Sequence, residues 1–158
     1  MREREAALAL LRKTWNKRPL PVDPVAVAEA VNVAVKAVPA DESGGYSGYH
    51  ISGPLPKIVV NMNEPETRRR FTVAHELGHY VLGHGERPRD GTRQFSALNS
   101  DPIEAAANRF AAELLMPYKS VLELVTEKGI TSVSRLADIY KVSEIAMKYR
   151  LKNLGLIR

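Results

Sequence analysis

The 158-residue chain contains no cysteine. Disulfides, thiolate metal ligands and a cysteine nucleophile are therefore excluded before any motif is read, and a bound metal would have to rest on imidazoles and carboxylates. Long hydrophobic runs are missing too. The most apolar stretch, residues 21–40, is broken by Asp23, Glu29 and Lys36, whereas a membrane span needs roughly 20 uninterrupted apolar residues. The opening Met1-Arg2-Glu3-Arg4-Glu5 and the charge-broken Ala/Leu stretch behind it lack the apolar core and small-residue cleavage site of a secretory signal. Glycine and proline, ten of each, are too sparse for a low-complexity segment, and no internal repeat or linker is visible. These absences predict a soluble, cytoplasmic protein with no membrane partner.

What is present fits one globular domain: 44% hydrophobic and 26% charged residues in a length that allows a single core. The net charge of +5 is unevenly placed. Residues 1–18 carry six basic and two acidic side chains, residues 141–158 five and one, and the middle twelve against fifteen. No basic run with interleaved aromatics occurs at either end, so solvated helix faces account for the excess better than a nucleic-acid surface does.

Periodicity predicts an α+β fold that is mostly helical. Leu8, Leu11 and Trp15 recur at helical spacing, giving a helix over residues 2–16, and Asp23-Pro24 opens a short helix to about Ala30. Val33, Val35 and Val38 then mark a strand, Gly44-Gly45 a turn, residues 46–52 a second strand and 57–61 a third. These make a small antiparallel three-stranded sheet. Asn63 with Glu66 reads as a capping box that opens a helix reaching Leu82. The polar segment 84–100 is long for a loop and could hide an edge strand at 92–97. Asp101-Pro102 caps a helix over 103–116, closed by Pro117, and three shorter helices follow at 118–128, 132–140 and 143–154. Within one domain, residues 1–62 hold the first helices and the sheet, 63–117 the site helices, and 118–158 a helical subregion with helix-turn-helix character.

The run His75-Glu76-Leu77-Gly78-His79 matches H-E-x-x-H inside the predicted central helix. Residues four apart stack on one helical face, so two imidazoles can reach one ion, and Glu76, about 100° round the helix, sits beside it as a base for bound water. The bland alternative is two solvent-facing histidines. It conflicts with Phe71, Val73, Ala74, Leu77, Tyr80, Val81 and Leu82, which make the helix apolar on most sides, where uncompensated His and Glu would be costly. A catalytic Zn2+ needs a third protein ligand and an open fourth position.

Three residues compete for that third place. His84 follows the helix-ending Gly83 and lacks the spacing of a third metzincin histidine, so it reads as a surface or helix-terminal residue. Glu104 could simply complete the capping box of Asp101-Pro102-Ile103-Glu104. Helical geometry argues otherwise: Ile103, Ala107, Phe110 and Leu114 form the buried stripe, and Ala111 and Leu115 widen it on the side that holds Glu104 and Asn108. Glu113 lies on the opposite margin, where solvent is easier to reach. Glu104 is the predicted ligand. Asn108, one turn on, orients a metal ligand or a bound peptide, or else makes an ordinary core hydrogen bond. The arginine triplet at 68–70 reads as a solvated face without a catalytic role.

These residues resemble a known family. Ile58-Val59-Val60-Asn61, Arg70-Phe71-Thr72-Val73-Ala74-His75-Glu76-Leu77-Gly78-His79 and the run from Glu104 through Asn108-Arg109-Phe110 to Leu114-Leu115-Met116-Pro117 look like the ImmA/IrrE metallopeptidases. The likeness extends weakly to the carboxyl end, through Leu136-Ala137, Val142-Ser143, Ala146-Met147, Arg150-Leu151 and Leu154-Gly155. It implies a gluzincin-like site with His75, His79 and Glu104 as zinc ligands and Glu76 as the base. It also implies a bacterial or phage-borne peptidase that cleaves an Xre-like helix-turn-helix repressor to release stress-response, mobile-element or defence genes. The additional sensor domain of some members is not expected here.

Two rival readings come from other classes. The last helices resemble a helix-turn-helix with Glu144, Lys148 and Lys152 outermost, which would make a DNA-binding module, although Met147, Leu151 and Leu154 form an ordinary buried stripe. A partner-binding protein with a structural metal is the other; the open coordination position and Glu76 favour catalysis over it.

Overall fold

Two helices and a small sheet come first, and together they seat the central helix. In a computed structural model, which describes residues 2–86 and 101–158, α1 (Arg2–Thr14) buries Ala7 and Leu10 and packs Leu11 and the following Trp15 at the core margin. α2 (Pro24–Ala30) starts as the sequence predicts. The Asp23 carboxylate accepts from the Val25 and Ala26 N–H groups, with proline at the first helical position, where no N–H is needed.

The sheet holds β1 (Ala34–Val38), β2 (Gly48–Ile51) and β3 (Lys57–Asn61) in the order β1-β3-β2. β2 pairs antiparallel with β3, but β1 runs parallel to β3. The sheet is mixed, not antiparallel throughout as predicted. Alternation of apolar residues marks a strand without fixing its neighbour: residues 39–47 carry the chain past a slot that β3 then fills, and β3 shares the direction of β1.

α3 (Glu66–Val81) is buried without interruption from Phe71 to His79, so every side of that stretch is covered. The expected capping box does not form. Pro65 occupies the cap without a side-chain bond, and the Asn63 amide oxygen accepts the Ala40 N–H at 2.7 Å, tying the turn after β3 to the one after β1. α3 packs on α4 (Pro102–Leu115) and on β2 and β3. Gly78 permits the approach of α4, because a methyl group there would meet Phe110 Cδ1 at 2.9 Å and Phe110 Cβ at 3.2 Å.

In α4, Asp101 Oδ1 caps the Ile103 N–H at 2.9 Å, and Ala107, Phe110, Ala111, Leu114 and Leu115 are buried. Ile103 leaves the predicted stripe and is 41% exposed. Spacing gives the direction of a helical face but not how far along the helix its cover extends. Glu113, expected toward solvent, is 1% exposed. Its carboxylate accepts from Arg150 Nη2 at 2.7 Å, Arg4 Nε at 3.1 Å and the Tyr118 N–H at 2.8 Å.

α5 (Tyr118–Leu122) runs into a π-helical turn, Glu123–Glu127, where one helix over 118–128 was expected. α6 (Val133–Tyr140) and α7 (Glu144–Asn153) follow, capped by the Ser132 and Ser143 hydroxyls. Arg70 departs from the solvated face assigned to its triplet. It donates to the carbonyls of Val22 at 2.7 Å, Lys141 at 3.0 Å and Tyr140 at 3.2 Å, strapping α3 to the end of α6. The predicted strand at 92–97 lies outside the described residues. No described helix is long and apolar enough to cross a membrane.

Candidate metal centre

The helical repeat of α3 stacks His75 and His79 with ring centroids 4.6 Å apart and ring planes at 87°. Their Nε2 atoms face each other at 3.0 Å. Across the α3–α4 contact, Glu104 places Oε1 3.0 Å from His75 Nε2 and Oε2 3.0 Å from His79 Nε2. These three residues form the one group of His and acidic side chains whose donor atoms converge among the described residues. Burial alone would push the Glu104 carboxyl up, but hydrogen bonds and charge from the two imidazoles outweigh it and hold the group well below the usual carboxylate range.

Hydrogen bonds at the far side of each ring decide what the inner nitrogens offer. Asn108 Oδ1 can only accept, so His75 Nδ1 donates to it at 2.8 Å, and Nε2 is the nitrogen turned to the site. Asn108 thus meets the ring of a candidate ligand from behind. His79 Nδ1 lies 2.8 Å from His84 Nδ1, so His84, expected as a surface or helix-terminal residue, follows the end of α3 and is half-buried against the second imidazole. The two Nε2 atoms and the carboxylate converge at about 3.0 Å, distances that protons bridge in the metal-free site and where a cation would take their place. Donor atoms each about 2.0–2.1 Å from one tetrahedral zinc stand about 3.3 Å apart, so this donor set fits the ion.

Glu76 approaches from the sheet side. Its Oε1 accepts from His50 Nδ1 at 2.9 Å, and its Oε2 lies 3.9 Å from His75 Nε2. His50 belongs to β2, and its ring stacks on that of His79 at 5.5 Å and 18°. All four histidines of the chain thus gather at one place. Sequence reasoning missed His50. The available signal was a lone histidine in a strand predicted to lie beside the site helix.

Two histidines four apart on one helix, the glutamate between them and a second carboxylate from the following helix make the H-E-x-x-H arrangement known from metallopeptidases. The Peptidase_M78 family, described as the IrrE N-terminal-like domain, matches residues 28–152, and the chain belongs to that family. Metallopeptidase ImmA of Bacillus subtilis (strain 168) is 29% identical over 99 residues, covering 63% of this chain and 58% of that protein. Uncharacterized immunity region protein 2 of Bacillus phage phi105 is 40% identical over 63 residues, 38% of this chain and 37% of the relative. Radiation response metalloprotease IrrE of Deinococcus radiodurans is 32% identical over 91 residues, 56% of this chain and 27% of that protein. The chain thus matches less than two thirds of the length of each of these relatives.

Proposed function

We propose that the chain is a zinc-dependent endopeptidase acting on a partner helix-turn-helix repressor. The observation that carries the peptidase reading is the convergence of the His75, His79 and Glu104 donor atoms with the Glu76 carboxylate beside them. His75 Nε2, His79 Nε2 and the Glu104 carboxylate would hold the ion, with Asn108 and His84 fixing the rings from behind. Zinc, when bound, supplies Lewis acidity that lowers the pKa of water from about 15.7 toward 7. Glu76 takes the proton of the attacking water as its oxygen bonds to the peptide carbonyl carbon. It then returns that proton to the departing amine nitrogen as the C–N bond breaks.

The sheet edge supplies a place for an extended peptide. The Asn61 N–H donates to the Ser47 carbonyl at 2.8 Å. Antiparallel alternation then turns the backbone groups of Gly48, His50 and Ser52 away from β3, toward the edge beside the site. A peptide added there as a further strand would pass Glu76, and Glu86 marks that edge by accepting the Ser52 N–H at 2.8 Å. The names of the relatives, a phage immunity region protein and two proteins called ImmA and IrrE, support a regulatory partner. An Xre-like repressor would place the reaction in the cytoplasm and link it to stress-response, mobile-element or defence genes.

The test is incubation with zinc and a small helix-turn-helix protein encoded beside this chain, read by mass spectrometry. Wild type yields defined fragments. Glu76→Gln keeps zinc and thermal midpoint but cleaves at least about 100-fold more slowly. Cleavage at the wild-type rate by Glu76→Gln, or no cleavage by wild type, contradicts the reading.

A further inference from the structure

The pair formed by His50 and Glu76 is among the most enclosed in the protein, with His50 at 2% and Glu76 at 0% exposure. An enclosed carboxylate is costly unless a donor meets it, and here the donor comes from a strand 26 residues away in sequence. The terminal carboxylate torsion of glutamate has broad, two-fold preferences, so the backbone of α3 does not decide which oxygen is presented or at what tilt. The 2.9 Å bond from His50 Nδ1 engages Oε1, and Oε2 is the oxygen placed 3.9 Å from His75 Nε2. Stacking on His79 fixes the plane of the same ring.

Packing alone does not account for a histidine there. Among the described residues its Nε2 is buried with no hydrogen-bond partner, a cost that a leucine of similar bulk would avoid. Its backbone, moreover, is among the groups turned to the edge of β2 that no described strand pairs.

We propose that His50 is a positioning residue for Glu76, joining the strand edge that would receive a peptide to the carboxylate that moves its proton. This rests on the peptidase reading, and it goes beyond it by giving the sheet a part in the chemistry. Because the hydrogen bond from His50 goes to Glu76 and only its ring face meets the candidate ligand His79, its loss slows turnover far more than it weakens substrate or metal binding.

The experiment compares three full-length variants on a peptide that wild type cleaves. His50→Leu removes the donor and keeps the bulk, His50→Asn restores an N–H near the position of Nδ1, and His50→Gln reaches instead toward Nε2. Expected for His50→Leu and His50→Gln is a kcat loss of about 10–100-fold, the size seen when groups supporting a site residue are removed. KM stays within about two-fold, the pattern of an interaction made in the transition state and not in binding. Zinc stoichiometry is unchanged, and His50→Asn recovers most of kcat. A second readout needs neither metal nor turnover: long-range 1H–15N spectra of the metal-free protein show His50 as the Nδ1–H tautomer, with that proton signal shifted in Glu76→Ala. Equal kcat losses in the leucine and asparagine variants, a change confined to KM, or an Nε2–H tautomer at His50 would overturn the proposal. Should wild type cleave nothing, the peptidase reading fails while the tautomer spectrum still decides the His50–Glu76 pairing.

Discussion

A carboxylate set between two imidazoles has few ways to be satisfied, and Glu104 is placed so that both of its oxygens are engaged by the site histidines at 3.0 Å. The sign of its pKa shift follows: the charged form is the one the pocket favours, the form a cation requires. Glu104→Ala is therefore expected to lose zinc affinity by at least about 100-fold in chelator competition while the protein stays folded. Stoichiometric zinc in that variant would remove Glu104 from the ligand set. The convergence of His75, Glu76 and His79 was legible because it depends on spacing within a single helix, and the inward direction of Glu104 because one helical stripe gave it. His50 was not, since its contact joins a strand to a helix and no local period encodes which residues meet across that gap.

At the scale of elements, the site depends on α3 and α4 keeping their distance, and the carboxylate of Glu113 shows how α4 is held from behind. It collects Arg4 from α1, Arg150 from α7 and the Tyr118 N–H at the start of α5, in a region where the carboxylate is almost fully enclosed. Arg150 also donates through Nε to the Met116 carbonyl at 3.0 Å, so removing Glu113 strands a buried guanidinium. Glu113→Ala is expected to destabilise the fold by about 3–5 kcal/mol in denaturant unfolding. A loss below about 0.5 kcal/mol would mean the network is a surface ion pair in effect. The sequence placed Glu113 on the wrong side because a helix's own stripe says nothing of later helices that come to cover its other margin. The same limit explains the sheet. Strand positions were readable from β-branched runs, but the parallel pairing of β1 with β3 is set by the path of residues 39–47.

Across the whole molecule, the basic excess at the chain ends turns partly inward. Arg2 donates to the Leu82 carbonyl at the end of α3, Arg4 and Arg150 meet Glu113, and the exposed side chains at the predicted outer face of α7 are Glu144, Lys148 and Lys152. Structural bonds account for part of the charge that composition alone would offer to nucleic acid. The core joins α1, α3 and α4 to the sheet and the last helices, so an ion held by α3 and α4 together stabilises the folded state and not the unfolded one. At zinc 100-fold above its dissociation constant the gain is about 2.7 kcal/mol. Chelator should therefore lower the thermal midpoint of wild type by several degrees and leave Glu104→Ala unmoved; equal shifts in both would place the ion elsewhere.

Four imidazoles lie close enough together that the number bound to the metal is the most direct question to ask. Zinc K-edge X-ray absorption on the loaded full-length protein counts them. Two imidazole nitrogens are expected, with the remaining ligands oxygens at about 2.0–2.1 Å. Three or four imidazoles at the metal, drawn from His50 or His84, would contradict that count.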